Sequence, residues 1–252
     1  MTTDRLFGFI ERLQGSTEWG RFLDAGTGRH SLQWVSGLKT RSWTAVTGDA
    51  LRAQSLTRKF SRVMRPTDQV VAGNWQDAAF LHGERYDVVL ADYLLGAIDG
   101  FAPYFQDRLF PRLRPHVGAR FYIVGLQPYE LLERSPAGLL IRELARLRDA
   151  CILLAGDRCY REYPLEWVTR HVEEAGFVVE EAQTFPIRYG AQFFVEQLNV
   201  CERKLTKIQR PALVKGLRDT IADLRERGLA LCRLEGDLRF GEDYVVCARP
   251  RQ

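Results

Sequence analysis

Asp24, Gly26 and Gly28 stand at a spacing suited to holding a ligand, inside Arg21-Phe-Leu-Asp-Ala-Gly-Thr-Gly-Arg-His-Ser-Leu-Gln-Trp34. Phe22 and Leu23 read as the end of a buried strand. Gly26 and Gly28 read as a turn that a side chain would obstruct, and His30 to Trp34 as the start of an amphipathic helix. Strand–Gly-x-Gly–helix units cradle nucleotide-like ligands on backbone N–H groups. Asp24 lies two residues before the first glycine, and the third glycine of a dinucleotide fingerprint is missing.

Further candidates recur along the chain. Asp49 follows about twenty residues after Gly28, where an acid accepts hydrogen bonds from ribose hydroxyls. It is also placed to cap a helix beginning near Leu51. In Gly73-Asn74-Trp75 the amide and indole suit pairing with and stacking on an adenine ring, or else form a turn with a core tryptophan. Asp92 and Tyr93 end another apolar run.

These residues need elements to hold them at one edge. Leu6, Phe7, Ile10 and Leu13 recur at helical spacing. Short apolar runs around 22–23, 43–46, 69–72, 86–91, 120–125, 177–181 and 244–248 predict strands. Helical patterns intervene at 31–38, 51–64, 101–113, 139–147 and 165–174, with a helical excursion over 191–229 broken near Pro211. Strands alternating with helices predict an α/β, doubly wound parallel sheet whose strand ends converge on one rim. The length of 252 residues suits one domain.

The ordered set resembles the class I S-adenosylmethionine-dependent methyltransferases over roughly residues 20 to 185. It comprises Leu23-Asp-Ala-Gly-Thr-Gly28, Asp49, Gly73-Asn74-Trp75, Arg85-Tyr-Asp-Val-Val-Leu90, Leu113-Arg-Pro-His-Val-Gly118 and Ala175-Gly-Phe177. The resemblance implies a Rossmann-like, seven-stranded, mostly parallel sheet whose last strand, from residues 237 to 248, is antiparallel. It implies a single methyltransferase domain over 1–252, with cap or insertion elements at about 126–165 and at 190–235, before the last strand. It implies S-adenosylmethionine as cofactor, its methionine part at the glycine turn. Asp24, Gly26, Thr27, Gly28, His30, Asp49, Asn74, Trp75, Asp92 and Tyr93 are then the cofactor-binding candidates. His30 and Asn74 depart from the usual pattern, which has a glycine and an aspartate there.

Methyl transfer asks mainly for alignment and exclusion of water, with a base where the acceptor is protonated. Position 91 onward reads Ala91-Asp-Tyr-Leu-Leu95 and lacks the Asn/Asp-Pro-Pro-aromatic motif of base-modifying amino-methyltransferases. The expected acceptor is a small molecule with an N, O or S nucleophile. A protein or RNA methyltransferase and a non-catalytic nucleotide-binding subunit are the alternatives. Tyr129 and Tyr160 are the candidate catalytic residues. Tyr129, Glu130, Tyr160, Arg161, Tyr163 and Arg188 are the candidate acceptor contacts, Arg161 being suited to grip a carboxylate.

Composition excludes several classes. Basic residues number 36 and acidic residues 32, and the basic ones are dispersed, which argues against a nucleic-acid partner. The five cysteines and four histidines show no metal-ligand spacing, so no metal is expected. No apolar run approaches the roughly 20 residues of a membrane span. Met1-Thr-Thr-Asp-Arg5 lacks an export pattern, so a cytoplasmic enzyme is expected. The stripe Phe193, Phe194, Leu198 suits core or homodimer packing.

Overall fold

The computed structural model describes residues 4–132 and 135–252. Seven strands form one sheet: β1 (Arg21–Asp24), β2 (Ser42–Thr47), β3 (Gln69–Ala72), β4 (Tyr86–Asp92), β5 (Val117–Leu126), β6 (Phe177–Tyr189) and β7 (Leu238–Pro250). Their order is β3-β2-β1-β4-β5-β7-β6, with β7 antiparallel to the rest. The chain winds outward from β1 to β3, then returns to place β4 on the other side of β1. That reversal is where open α/β sheets bind ligands, beyond the carboxyl ends of the strands.

The pairing explains why β1 is apolar. Leu23 lies beside Thr44 of β2 and Val89 of β4, and Asp24 beside Ala45 and Leu90. With neighbours on both sides and both faces covered, Phe22 and Leu23 are fully buried. Each such side chain contributes about 1.5–3 kcal/mol by leaving water.

By contact density the described chain divides into two compact units. The first comprises residues 1–126, 161–184 and 244–252, and the second 127–160 and 185–243. In the first unit, α1 (Arg5–Gln14) is capped by Asp4, which accepts from the Leu6 N–H at 2.7 Å. Helices α2 (Arg29–Val35), α3 (Ala50–Phe60), α4 (Leu94–Ala97), α5 (Gln106–Leu113) and α7 (Leu165–Glu174) connect the strands. The core centres on Phe110, Phe121 and Phe177 packed with Val89, Val168 and Val246.

The second unit carries α6 (Pro136–Leu154), α8 (Ala191–Leu205) and α9 (Pro211–Glu235), around a core of Ile141, Leu144, Phe194, Leu198 and Leu224. Pro136 and Pro211 occupy first turns, where a missing N–H leaves no helical bond unmade. Phe194 and Leu198 are core residues, buried against the other two helices' apolar stripes. At Gly228, on α9, a side chain would collide with the Phe194 ring.

Two elements depart clearly from the pattern read in the sequence: β6, read over 177–181, runs on to Tyr189, and one helix starts late. The helical run expected to start at Phe101 begins instead at Gln106. Pro103 disfavours helical backbone at Ala102, and Tyr104 adopts a left-handed conformation with φ of 63°. Residues 101–105 are therefore a turn, which leaves the Phe101 ring 46% exposed. Among the described residues no helix is long and apolar enough to cross a membrane.

Candidate functional site

The glycine turn is pinned from both sides. The Ala25 N–H donates to the Leu90 carbonyl of β4 at 2.8 Å, and the Thr27 N–H to the Val46 carbonyl of β2 at 2.6 Å. At Gly26 a Cβ would sit 2.8 Å from the Leu94 side chain, so glycine is required for α4 to approach. At Gly28 the N–H donates to Ser31 Oγ at 3.0 Å, opening α2. Seven residues of helix make a short dipole, which leaves ligand-holding mainly to the turn and to Asp24.

Asp24 is the least satisfied group of the turn. It is wholly buried, and neither carboxylate oxygen has a hydrogen-bond partner. Burial pushes its pKa up to about 6, and Thr27, Ser31 and the Gly26 N–H pull it only partly back. The neighbouring hydroxyls and N–H thus lie near enough to act on the charge without completing a bond. A buried carboxylate in this state costs stability until a donor or a cation meets it.

The ends of β2 and β3 lie next to the turn in strand order. Asp49 follows β2 and is exposed; its Oδ1 accepts from the Leu51 and Arg52 N–H groups at 2.8 and 3.1 Å. It is therefore the N-cap of α3, with Oδ2 remaining for a ligand hydroxyl. Asn74, after β3, is held at both ends of its amide. Nδ2 donates to the Phe101 carbonyl at 2.8 Å, and Oδ1 accepts from the Gln76 N–H at 3.0 Å. The Asn74 amide thus ties the turn after β3 to residue 101, with a second N–H and a second lone pair left over for a ligand.

Trp75 is likewise a core residue and not a stacking platform. It is 3% exposed, its indole N–H donates to the Ala25 carbonyl at 2.7 Å, and Phe80, His116 and Arg112 surround its ring. Burial and the Arg112 charge hold His116 below the usual imidazole range, against a partial upward pull from the Glu84 carbonyl. Trp75 thus braces the glycine turn from beneath. His30 lies beside α1. Its exposed ring packs 5.1 Å from Phe7 of α1, with Nε2 3.7 Å from Asp4.

Phe101 is the residue that sequence reading missed. Its ring rests on Gly48, where any side chain would collide with it, next to Asp49. An open aromatic surface therefore lies between the ends of β2 and β3. Pro103 is the signal that could have removed this segment from the helix.

Asp92 and Tyr93 lie at the end of β4. Asp92 pairs in register with Val124, and the Tyr93 N–H donates to the Val124 carbonyl at 3.0 Å. Tyr93 is left-handed, with φ of 47°, and turns the chain sharply into α4. A non-glycine residue held there stores about 1–3 kcal/mol, a cost that concentrates at functional sites.

The segment 161–163 crosses the same rim. The Arg161 N–H donates to the Gly96 carbonyl at 3.1 Å while its side chain is exposed. Glu162 lays its carboxylate on Gly96, where a Cβ would lie 2.6 Å from it. Tyr163 stacks obliquely on Trp167 at 4.3 Å, and its carbonyl accepts from the Tyr244 hydroxyl at 2.9 Å. Burial and the Asp99 charge push the Tyr163 phenol up. Glu162 did not emerge from the sequence, because an acid between Arg161 and Tyr163 in a loop carries no spacing signal.

The remaining candidates belong to the second unit. The Tyr129 hydroxyl bonds the Tyr189 hydroxyl, and the Tyr129 carbonyl accepts from Arg142 Nε at 2.8 Å. Burial and the Tyr129 neighbour push the Tyr189 phenol up. Tyr160, Glu130 and Arg188 are exposed. Among the described residues no group of three His, Cys, Asp or Glu side chains could hold a metal ion.

No family model and no curated protein matches the chain. Solved structures do. A Bacillus halodurans protein described as a methyltransferase matches 98% of this chain and 99% of its own, at 14% identity and a TM-score of 0.62. Phosphoethanolamine N-methyltransferase 2 of Haemonchus contortus, bound to S-adenosylhomocysteine and phosphomonomethylethanolamine, matches at 15% identity and a TM-score of 0.55. It covers 98% of this chain and 52% of its own. A [4+2]-cyclase matches at 13% identity and a TM-score of 0.54, covering 98% of this chain and 80% of its own. Strand order, the antiparallel β7 and these likenesses together establish the Rossmann-like fold of the class I methyltransferases for this chain.

Proposed function

We propose that this chain is a methyltransferase that moves a methyl group from S-adenosylmethionine to an N, O or S nucleophile of a small molecule by in-line displacement. The observation that carries the reading is Asp24, a wholly buried carboxylate with no partner, set at a glycine turn at the strand-order reversal. A ligand end bearing an ammonium group, as the methionine part of S-adenosylmethionine does, supplies the missing cation and donors. The solved Haemonchus enzyme holds the demethylated form of that cofactor, which supports the same assignment.

The residues present fit this group. Asp24, Gly26, Thr27 and Gly28 would hold the methionine end, Asp49 Oδ2 the ribose hydroxyls, and Phe101 the adenine face. Asp92 and Tyr93 would border the sulfur. When bound, S-adenosylmethionine supplies an electrophilic methyl group on a sulfonium that leaves without needing a proton. The protein's task is then alignment and dryness, which contribute about 7–11 kcal/mol in the best cases. Arg161, Glu162 and Tyr163 would orient the acceptor. Tyr163, held protonated by burial, suits donation of a hydrogen bond better than proton removal. The enzyme is read as a single functional domain over 1–252, and as cytoplasmic.

The fold also serves a [4+2]-cyclase, so activity has to be tested apart from binding. Calorimetry with S-adenosylhomocysteine should show one site per chain. Incubation with methyl-labelled S-adenosylmethionine and panels of amines, phenols and thiols should transfer label to one class. Absence of binding refutes the cofactor assignment. Binding without transfer to any small molecule, protein or RNA favours a cyclase-like or non-catalytic role.

A further inference from the structure

Helix α9 carries its charges in two groups. Arg227 bonds Asp223 and Glu143 at 2.8 and 2.7 Å, and Arg225 bonds Glu202 of α8 at 2.7 Å. Arg218, Asp219 and Glu226 are exposed and make no ion pair among the described residues. They border two shallow depressions of about 480 and 450 Å³ that share Arg218. Ile221, Ala222 and Leu229 line the first, and Leu205, Ile208 and Val214 line the second.

The placement of these charges is antisymmetric about Ala222. Four residues before it stands Arg218 and four after it Glu226; three before it stands Asp219 and three after it Arg225. Positions three and four residues away on either side share one helical face with the central residue. An antiparallel second helix of the same sequence, with a two-fold axis at Ala222, therefore sets Arg218 against Glu226 of the partner subunit. It also sets Asp219 near Arg225 of the partner subunit, which keeps its bond to Glu202 as well, and two-fold symmetry makes every pair occur twice. The small Ala222 at the axis lets the two helices approach closely. Seven residues out, Leu229 meets the aliphatic stem of the partner subunit's Lys215. In the opposite, parallel arrangement each charge would face its own kind.

We propose that this face of α9 is a self-association surface, occupied by α9 of a second copy in antiparallel alignment. Charge complementarity commits it to that occupant, because the pattern answers itself without any other partner. Ala222, Leu229 and the aliphatic stems supply the buried area, and the unpaired Arg218 and Glu226 set the register.

The test is charge reversal followed by sedimentation across a concentration series. The parent chain should form dimers. Arg218→Glu places acid against acid twice per dimer and should raise the dissociation constant about tenfold or more, and Glu226→Arg should do the same. The double variant Arg218→Glu/Glu226→Arg should restore the parent's association. Both sites are exposed, so circular dichroism should show unchanged folding. Should either variant unfold, the parent decides alone: its association should weaken as salt rises. A parent that stays monomeric at near-millimolar concentration overturns the proposal. So does a dimer indifferent to Arg218→Glu or to salt, or a double variant that stays as weak as the single ones.

Discussion

Two buried aspartates stand at opposite edges of the same sheet. At the amino edge, Asp68 precedes β3 and is saturated. It accepts from the Trp43 N–H at 3.0 Å, and from the N–H, Nε and Nη2 of Arg65 at 2.8 Å each. Arg65 in turn bonds Thr40, which ties the α2–β2 connection to the turn before β3. At the carboxyl edge, Asp24 ends β1 with nothing bonded to either oxygen. Burial alone does not separate the two, since both are almost completely enclosed. The difference is in the partners. A structural acid is met by donors from its own chain, whereas an acid kept for a ligand is left short of them.

Substitution at Asp68 should have the largest effect on folding. Asp68→Ala leaves Arg65 and the Trp43 N–H without their acceptor. It should cost about 3 kcal/mol, the upper end for leaving a buried donor, here the Trp43 N–H, without its acceptor. Urea unfolding measures it, and a loss under 1 kcal/mol would erase the contrast.

Asp24→Asn should act in the other direction. The folded pKa of about 6 lies above the ordinary 3.8. The native state therefore holds the proton more tightly, and stability falls as pH rises from about 4 through 6. Above that window the deficit is about 3 kcal/mol, at roughly 1.4 kcal/mol for each pH unit of displacement. The neutral amide escapes this deficit, so Asp24→Asn should be more stable than the parent at pH 8 and equal to it near pH 3. It should also lose at least tenfold in affinity for S-adenosylhomocysteine. A variant less stable at pH 8 would place Asp24 with Asp68 as a structural acid.

The smallest expected effects are at the rim and sharpen the binding half of the comparison. Asp49→Ser keeps an N-cap for α3 and should leave thermal stability nearly unchanged, while S-adenosylhomocysteine binding weakens. Phe101→Ala should weaken the same binding by about 1–3 kcal/mol, the range for stacking of a base on an aromatic ring. Unchanged calorimetric affinity in Asp49→Ser would return that residue to capping alone. The same result in Phe101→Ala would remove the ring from the adenine site.

Much of this was legible before any coordinates. The glycine turn, the alternation of strands and helices, and the break at Pro211 each follow from local rules: backbone sterics, side-chain period and the missing N–H of proline. Asp24 was legible as a position and not as a state. Trp75 and Asn74 find partners within the chain for a physical reason. An indole or an amide at a strand end satisfies its polar atoms with whatever lies nearest, and sequence does not show that Ala25 and Phe101 lie nearest. Glu162 and Phe101 came to the rim only because Gly96 and Gly48 let them approach.

The residue order of this chain therefore determined its elements, their alternation and the type of turn after β1, because those depend on neighbours a few positions apart. Tertiary structure alone decided which acid is saturated and which is left open, and which aromatic is buried and which exposed. Those outcomes depend on groups tens of residues away in the chain, brought within hydrogen-bond reach only when the sheet closes around β1.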